Sequence, residues 1–201
     1  MLKALALVIA LLSSLFSSPP LPSSSIPTPR KCDSTVTIGD SLSLTLHSYV
    51  SESYGDLRVG NGWSIRDNGL DSARRYRQDH PGRVCWIIAL GTNDSSSTSS
   101  PSDLERFDMM MEVIGSDPVL WVNVWYDSAR EGYQEPNALI WNSMLIEKKK
   151  LHPNMKIFDW ATIAKSHPEW FIGDGIHYNS EGAKQRAWWL TMISSLVLKL
   201  G

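Results

Sequence analysis

Val36-Thr37-Ile38-Gly39-Asp40-Ser41-Leu42-Ser43 is the stretch on which the reading of this chain turns. Val36 to Ile38 is a β-branched run with the composition of a short buried strand. Gly39 permits a sharp turn where that strand ends. Beyond it, Leu42, Leu46, Tyr49 and Val50 recur at helical spacing, which places Ser41 on a strand-to-helix turn. A hydroxyl there stands at the carboxyl end of a strand and the amino end of a helix, whose first N–H groups lack internal partners and favour negative charge. Such a turn suits a nucleophilic serine. It equally suits a serine that only caps a helix, so the choice rests on what the remaining chain brings to the same edge.

Working outward, Asp56 to Asn68 carries Gly60, Gly62 and a short strand-like piece, Trp63-Ser64-Ile65-Arg66, before the turn signal Asn68-Gly69. Leu70 to Asp79 reads as a polar, Arg-rich surface helix. Arg83 to Leu90 is a near-continuous apolar run, as expected of a parallel strand buried on both faces, and it ends at Gly91-Thr92-Asn93-Asp94. After a serine-rich loop, Ser102-x-x-Glu105 has the form of a capping box for a helix through Ile114. Pro118 to Val124 is the next buried strand, and the long loop from Trp125 to Pro136 is expected to border a site. Asn137 to Leu151 reads as a helix with Leu139, Ile140, Met144 and Leu145 on its apolar side. Met155 to Phe158 gives the last strand, Ala161 to Ser166 a short helix, Pro168 to Tyr178 a loop, and Asn179 or Ser180 caps a final helix to about Leu198. Strands alternating with helices predict a parallel sheet with helices on both faces, and ligands of such sheets bind at the carboxyl ends of the strands.

The amino terminus reads as an export signal or membrane anchor over residues 1–18: Lys3 supplies the positive start, and Ala4 to Phe16 is apolar but for Ser13 and Ser14. That stretch is shorter than the roughly 20 residues a span needs. Residues 19–31 form a Pro/Ser-rich linker that cannot build a core, and 32–201 is one domain. A net charge of -2 gives no argument for nucleic acid, and membrane contact is expected only through an uncleaved amino-terminal segment. Lys148-Lys149-Lys150 sits near a helix end and reads as a solvated face. A monomer is expected. Two cysteines in an exported chain invite a disulfide. If Gly39 and Gly91 end neighbouring parallel strands, Cys32 and Cys85 fall at the opposite ends of those strands, at a spacing compatible with a bridge. Two buried thiols are the alternative.

A serine hydroxyl needs a base. Of the five histidines, His80, His152 and His167 each precede a proline, and His47 lies about two turns beyond Ser41. His177 differs, because it follows Asp174 in the loop Gly173-Asp174-Gly175-Ile176-His177. There the Asp174 carboxylate can accept from Nδ1–H and leave Nε2 facing a serine across the sheet edge, the orienting logic of a Ser-His-Asp triad. Alone, Asp-x-x-His also fits a structural cap or part of a metal site. Acyl transfer further needs donors for an oxyanion, and the candidates are the N–H of Ser41, the N–H of Gly69 and the side-chain amide of Asn93. Asn93-Asp94-Ser95 also matches a glycosylation sequon, but a glycan there would block the proposed hole. Trp125, Tyr126, Tyr133 and Trp170 line an acyl or sugar pocket, or are ordinary packing. Gly60-Asn61-Gly62 lacks the third glycine of a dinucleotide loop, and no Walker, His-Glu-x-x-His or Cys-x-x-Cys motif occurs.

Gly39-Asp40-Ser41-Leu42, then Gly69, then Gly91-Thr92-Asn93-Asp94, then Asp174-Gly175-Ile176-His177 resemble, in order and spacing, the four blocks of the SGNH (GDSL-type) hydrolases. The resemblance spans residues 34 to about 198. It implies a three-layer α/β/α sandwich with a parallel sheet of about five strands, flavodoxin-like in strand order, and no cofactor. It further implies Ser41 as nucleophile, His177 as base, Asp174 as its orienter, and Ser41, Gly69 and Asn93 as the oxyanion hole. The closing part, from Asp159-Trp160 to His177, is similar to small exported actinobacterial members and to SGNH domains attached to membrane acyltransferases. On this reading the chain is an exported or envelope-held serine esterase acting on a small-molecule or glycan acyl ester, with activity rising as the imidazole loses its proton. Acyl transfer to a cell-envelope glycan is the alternative. A non-catalytic envelope-binding module is a rival of another class, and the presence of Ser, Asp and His speaks against it.

Overall fold

A computed structural model describes residues 31–49, 55–96 and 101–199; the expected export segment lies outside them. Five strands form one sheet: β1 (Ser34–Gly39), β2 (Asp56–Val59), β3 (Val84–Ala89), β4 (Val119–Val122) and β5 (Met155–Phe158). All pairings are parallel and the order is β2-β1-β3-β4-β5. The helices are α1 (Leu46–Tyr49), α2 (Gly69–Asp79), α3 (Thr92–Ser95), α4 (Pro101–Ile114), α5 (Glu135–Leu151), α6 (Trp160–Lys165) and α7 (Ser180–Lys199).

The side-chain alternation of the strands divides the core into two layers. Every residue of β3 is buried. Val84, Trp86 and Ile88 face one way with Val119 and Trp121, against α2, α4 and α5 through Tyr76, Phe107, Met110, Trp141 and Leu145. Cys85, Ile87 and Ala89 face the other way with Leu120 and Val122, against α1, α6 and α7 through Leu46, Trp160, Ala187 and Leu190. The result is the three-layer α/β/α sandwich expected. Cys32 and Cys85 are bonded, with Cα atoms 5.7 Å apart. Cys85 lies at the amino end of β3, so the bridge fastens the sheet at the end opposite Ser41.

Several expected elements lie elsewhere. The second strand is Asp56–Val59, not Trp63–Arg66; it is an edge strand, with only Leu57 and Val59 turned partly inward, and its alternation is too short to stand out. The helix expected from Leu42 is broken into a 3-10 turn, Ser41–Ser43, and the single-turn α1. α4 already begins at Pro101, so Ser102 lies inside its first turn and is not its cap. α5 buries Ala138, Trp141 and Leu145 and leaves Leu139 and Ile140 exposed, because packing on the sheet selects the face that carries the tryptophan. α2 is less of a surface helix than its arginines suggest, since Leu70, Ala73 and Tyr76 are buried. The triplet Lys148-Lys149-Lys150 is partly paired: Lys148 with Asp108 and Lys150 with Glu147. Among the described residues no helix is long and apolar enough to cross a membrane.

Candidate active site

The carboxyl end of β1 sets the first side chain. Asp40 caps the 3-10 turn, its Oδ1 accepting from the N–H of Leu42 at 3.0 Å. Ser43 N–H donates to Asp40 O and Leu44 N–H to Ser41 O. The turn thus consumes the N–H groups of Leu42, Ser43 and Leu44 and leaves that of Ser41 without a partner among the described residues. Because the turn is too short to carry a helix dipole, any anion stabilisation here is the work of individual N–H groups. Gly39 is needed for room, not for an unusual φ: a Cβ on it would lie 2.4 Å from Ser43 Oγ.

The second contribution comes from the segment between α6 and α7. Its loop closes on itself, Ile172 N–H donating to His177 O and Gly175 N–H to Ile172 O. Gly175 has φ +68, and a Cβ there would meet Asp127 O at 2.2 Å, so only glycine fits. Asp127 N–H donates to Gly175 O, fastening this loop to the one that follows β4. Trp170 supports it from below, stacked on His167 at 3.8 Å and on Trp160 at 5.9 Å. Within the loop, Asp174 Oδ1 accepts from the N–H groups of Ile176 and His177, both at 2.9 Å, and Oδ2 lies 2.7 Å from His177 Nδ1. Burial alone would raise the Asp174 pKa, but the hydrogen bonds from His177 and Ile176 outweigh it and hold the carboxyl below the usual range. An ionised carboxylate only accepts, so Nδ1 carries a proton, and in the neutral imidazole this leaves the lone pair on Nε2. Nε2 lies 3.0 Å from Ser41 Oγ, which therefore donates to it.

Two clefts flank this line. One, of about 320 Å³, is bordered by Ser41, His177, Leu44, Tyr49 and Asn61. The other, of about 280 Å³, lies beside Asp174 and is bordered by Trp125, Lys165, Phe171 and Ile172. Trp125, Tyr126, Tyr133 and Trp170 are all buried, so packing accounts for most of their surface. Burial pushes the Tyr126 hydroxyl up to about 12, and it donates to Ser95 Oγ at 2.7 Å.

Asn93 follows β3 at the same sheet edge, on α3. Its Nδ2 donates to Trp63 O at 2.8 Å, and Tyr133 Oη donates to its Oδ1 at 2.9 Å. A carbonyl oxygen cannot donate, so the contact with Trp63 fixes which way the amide points and leaves one N–H over. Gly69 does not offer its N–H to the site. It is the buried first residue of α2, its N–H donates to Ser64 O at 3.1 Å, and a Cβ there would lie 2.5 Å from Leu90 Cδ1. Its lack of a side chain serves close packing. Asn61, in the loop Gly60-Asn61-Gly62 directly after β2, does border the Ser41 cleft, although in the sequence that glycine pair suggests only an incomplete dinucleotide loop. The missed signal was the alternation of Leu57 and Val59 ahead of that glycine pair. Asp94 Oδ1 accepts from Ile65 N–H at 2.9 Å and holds the segment after this loop to α3.

No family model matches the chain. Among curated proteins, the putative peptidoglycan O-acetyltransferase YrhL of Bacillus subtilis is 26% identical over 153 residues, covering 73% of this chain and 21% of that protein. Peptidoglycan O-acetyltransferase OatA of Listeria monocytogenes is 26% identical over 169 residues, covering 82% of this chain and 24% of that protein. The chain thus spans under a quarter of the length of the curated relatives it matches. Among solved structures, the C-terminal catalytic domain of OatA from Streptococcus pneumoniae, carrying a methylsulfonyl adduct, superposes with a TM-score of 0.67 at 20% identity, covering 84% of this chain and 96% of that one. A lipase/acylhydrolase from Enterococcus faecalis gives 0.64 at 17% identity, with 83% and 98% covered. The fold is that of the SGNH hydrolases.

Proposed function

We propose that this chain, built on the SGNH-hydrolase fold, is a serine-dependent acyl-transferring enzyme that hydrolyses small O-acyl esters through an acyl-enzyme on Ser41. One observation carries the reading: the line from Asp174 through His177 to Ser41, with contacts of 2.7 and 3.0 Å. His177 Nε2 takes the hydroxyl proton as Ser41 Oγ bonds to the acyl carbon, and Asp174 holds the resulting imidazolium. The carbonyl oxygen becomes an oxyanion, for which the N–H of Ser41 and the remaining amide N–H of Asn93 are the proposed donors. Collapse breaks the bond to the alcohol, which leaves with the proton from His177. Water then gives a proton to His177 as its oxygen bonds to the acyl carbon. Collapse breaks the bond to Ser41 Oγ, which takes the proton back from His177 as the carboxylic acid leaves.

A second reading is favoured by the names of the two curated relatives, both peptidoglycan O-acetyltransferases. Here a sugar hydroxyl of the cell envelope replaces water as the acceptor. The apolar, positively started amino terminus supports an exported or envelope location for either reaction. The test is turnover of p-nitrophenyl acetate, butyrate and octanoate by the protein and its Ser41→Ala variant, with and without a chitooligosaccharide. Ser41-dependent release of free acid supports the esterase; acylated sugar in the products supports transfer. No Ser41-dependent turnover by the folded protein with either acceptor contradicts both.

A further inference from the structure

Arg186 lies on α7, beyond the last of the four sequence blocks. Its side chain is 3% exposed, and a guanidinium stays charged in a protein interior. A charge so placed needs a counter-charge and hydrogen bonds. Asp40 is enclosed beneath the nucleophile turn, where burial raises its pKa and the Arg186 guanidinium is near enough to oppose that rise. The hydrogen bonds go to the turn itself. Arg186 Nη1 donates to Leu42 O at 2.9 Å and to Ser43 Oγ at 3.3 Å. Asp40 meanwhile accepts the Leu42 N–H. The peptide groups on both sides of Leu42, the residue after Ser41, are therefore gripped by two buried side chains, Asp40 on the N–H side and Arg186 on the C=O side.

The same guanidinium reaches the other half of the site. Its carbon lies 5.9 Å from the ring centroid of Tyr178, the residue after His177, within the range of a cation–π contact. The Tyr178 hydroxyl accepts from Trp160 Nε1 at 2.7 Å, which anchors that ring to α6. Resting on the function proposed above, we infer that Arg186 is a positioning residue: from behind the catalytic pair it holds the Ser41 turn and the His177–Tyr178 segment at the separation that brings Oγ to Nε2. It touches neither substrate nor the reacting atoms. Misplacement of the nucleophile by about 1 Å costs on the order of 10²-fold in rate, so loss of this grip is expected to appear in kcat and not in KM.

Arg186→Met alone strands a buried carboxyl, so the decisive variant is Asp40→Asn/Arg186→Met, which removes both ionisable groups and keeps an amide oxygen for the Leu42 N–H. Two experiments are run on the full chain: one gives kcat and KM for p-nitrophenyl acetate, the other the rate at which phenylmethylsulfonyl fluoride modifies Ser41. The expected result is a folded double variant with KM within about twofold of the parent. Its kcat and modification rate fall together by about 10- to 100-fold, and Arg186→Lys recovers part of both. A folded double variant with unchanged kcat and modification rate overturns the inference, as does a loss of rate that only tracks a lowered melting temperature or a raised KM. A parent protein that neither turns over esters nor is modified at Ser41 overturns the proposed function instead.

Discussion

Gly39 and Ser43 are packed so closely that any side chain on the first would collide with the second: a Cβ on Gly39 would lie 2.7 Å from Ser43 Cβ as well as 2.4 Å from its Oγ. Ser43 is wholly buried and accepts from Arg186, so it has nowhere to move. Gly39→Ala is expected to cost about 1–3 kcal/mol and to lower kcat by displacing the Ser41 turn. Thermal melts and steady-state kinetics check both, and Ser43→Gly in the same chain should restore part of each loss.

Gly69→Ala separates packing from catalysis. Its N–H is already given to Ser64 O, and its missing side chain makes room for Leu90. The variant should lose stability, by about 1–3 kcal/mol, while the surviving folded fraction keeps its kcat. A drop in kcat at unchanged stability would return Gly69 to the oxyanion hole.

Asn93→Ala removes a proposed oxyanion donor and is expected to lower kcat by about 10²–10³-fold with little change in KM. Tyr133→Phe leaves the amide in place but deletes the hydrogen bond to its Oδ1. It should therefore fall between Asn93→Ala and the parent, and a Tyr133→Phe loss as large as that of Asn93→Ala would mean that Tyr133 does more than orient the amide.

Asp174 governs the pH behaviour by staying charged. Its hydrogen bonds hold its carboxyl below the usual range, so as pH falls through the region where imidazoles titrate, Asp174 remains ionised. The acid limb of kcat/KM should then follow one proton, taken up by the base. A depressed folded-state pKa means that any stability from these hydrogen bonds is complete above the ordinary carboxylate range and lost only as pH falls through the folded value. Asp174→Asn can present an N–H to Nδ1 and favour the wrong tautomer, for an expected loss of about 10⁴-fold in kcat. An acid limb that follows two protons would contradict the assignment.

The disulfide and the catalytic line sit at opposite ends of β3 and its neighbour, so they should be separable. Replacing both Cys32 and Cys85 by serine releases a loop of 53 residues and is expected to cost about 2–4 kcal/mol. Melting temperature should fall while the kinetic constants of the folded protein hold.

What the sequence made legible was whatever local pattern determines. The run from Val84 to Ala89 is apolar without interruption because both of its faces are covered, and that pattern alone marks a parallel strand buried on both sides. The short Asp-Gly-Ile-His segment carries its own geometry, because the Asp174 carboxylate bonds to the backbone of its next neighbours. What stayed hidden depends on contacts between distant segments. Whether Gly69 or the Gly60–Gly62 loop borders Ser41 turns on where a four-residue edge strand lies, of which only Leu57 and Val59 are partly buried. Arg186 gives no sign in the sequence that it is buried, since its partners Asp40 and Leu42 are 146 and 144 residues away in the chain. The face that α5 buries is likewise chosen by the sheet, which takes Trp141 in preference to Leu139 and Ile140.

The central claim is that Ser41 carries the acyl group. It is tested most directly by quenching the protein with acid during turnover of p-nitrophenyl acetate and mapping the modified peptide by mass spectrometry. The account predicts an acetyl group on Ser41, absent from the Ser41→Ala variant and accumulating more slowly in Asp174→Asn. A folded protein that releases p-nitrophenol while the acetyl group is found on another residue, or on none, would contradict it.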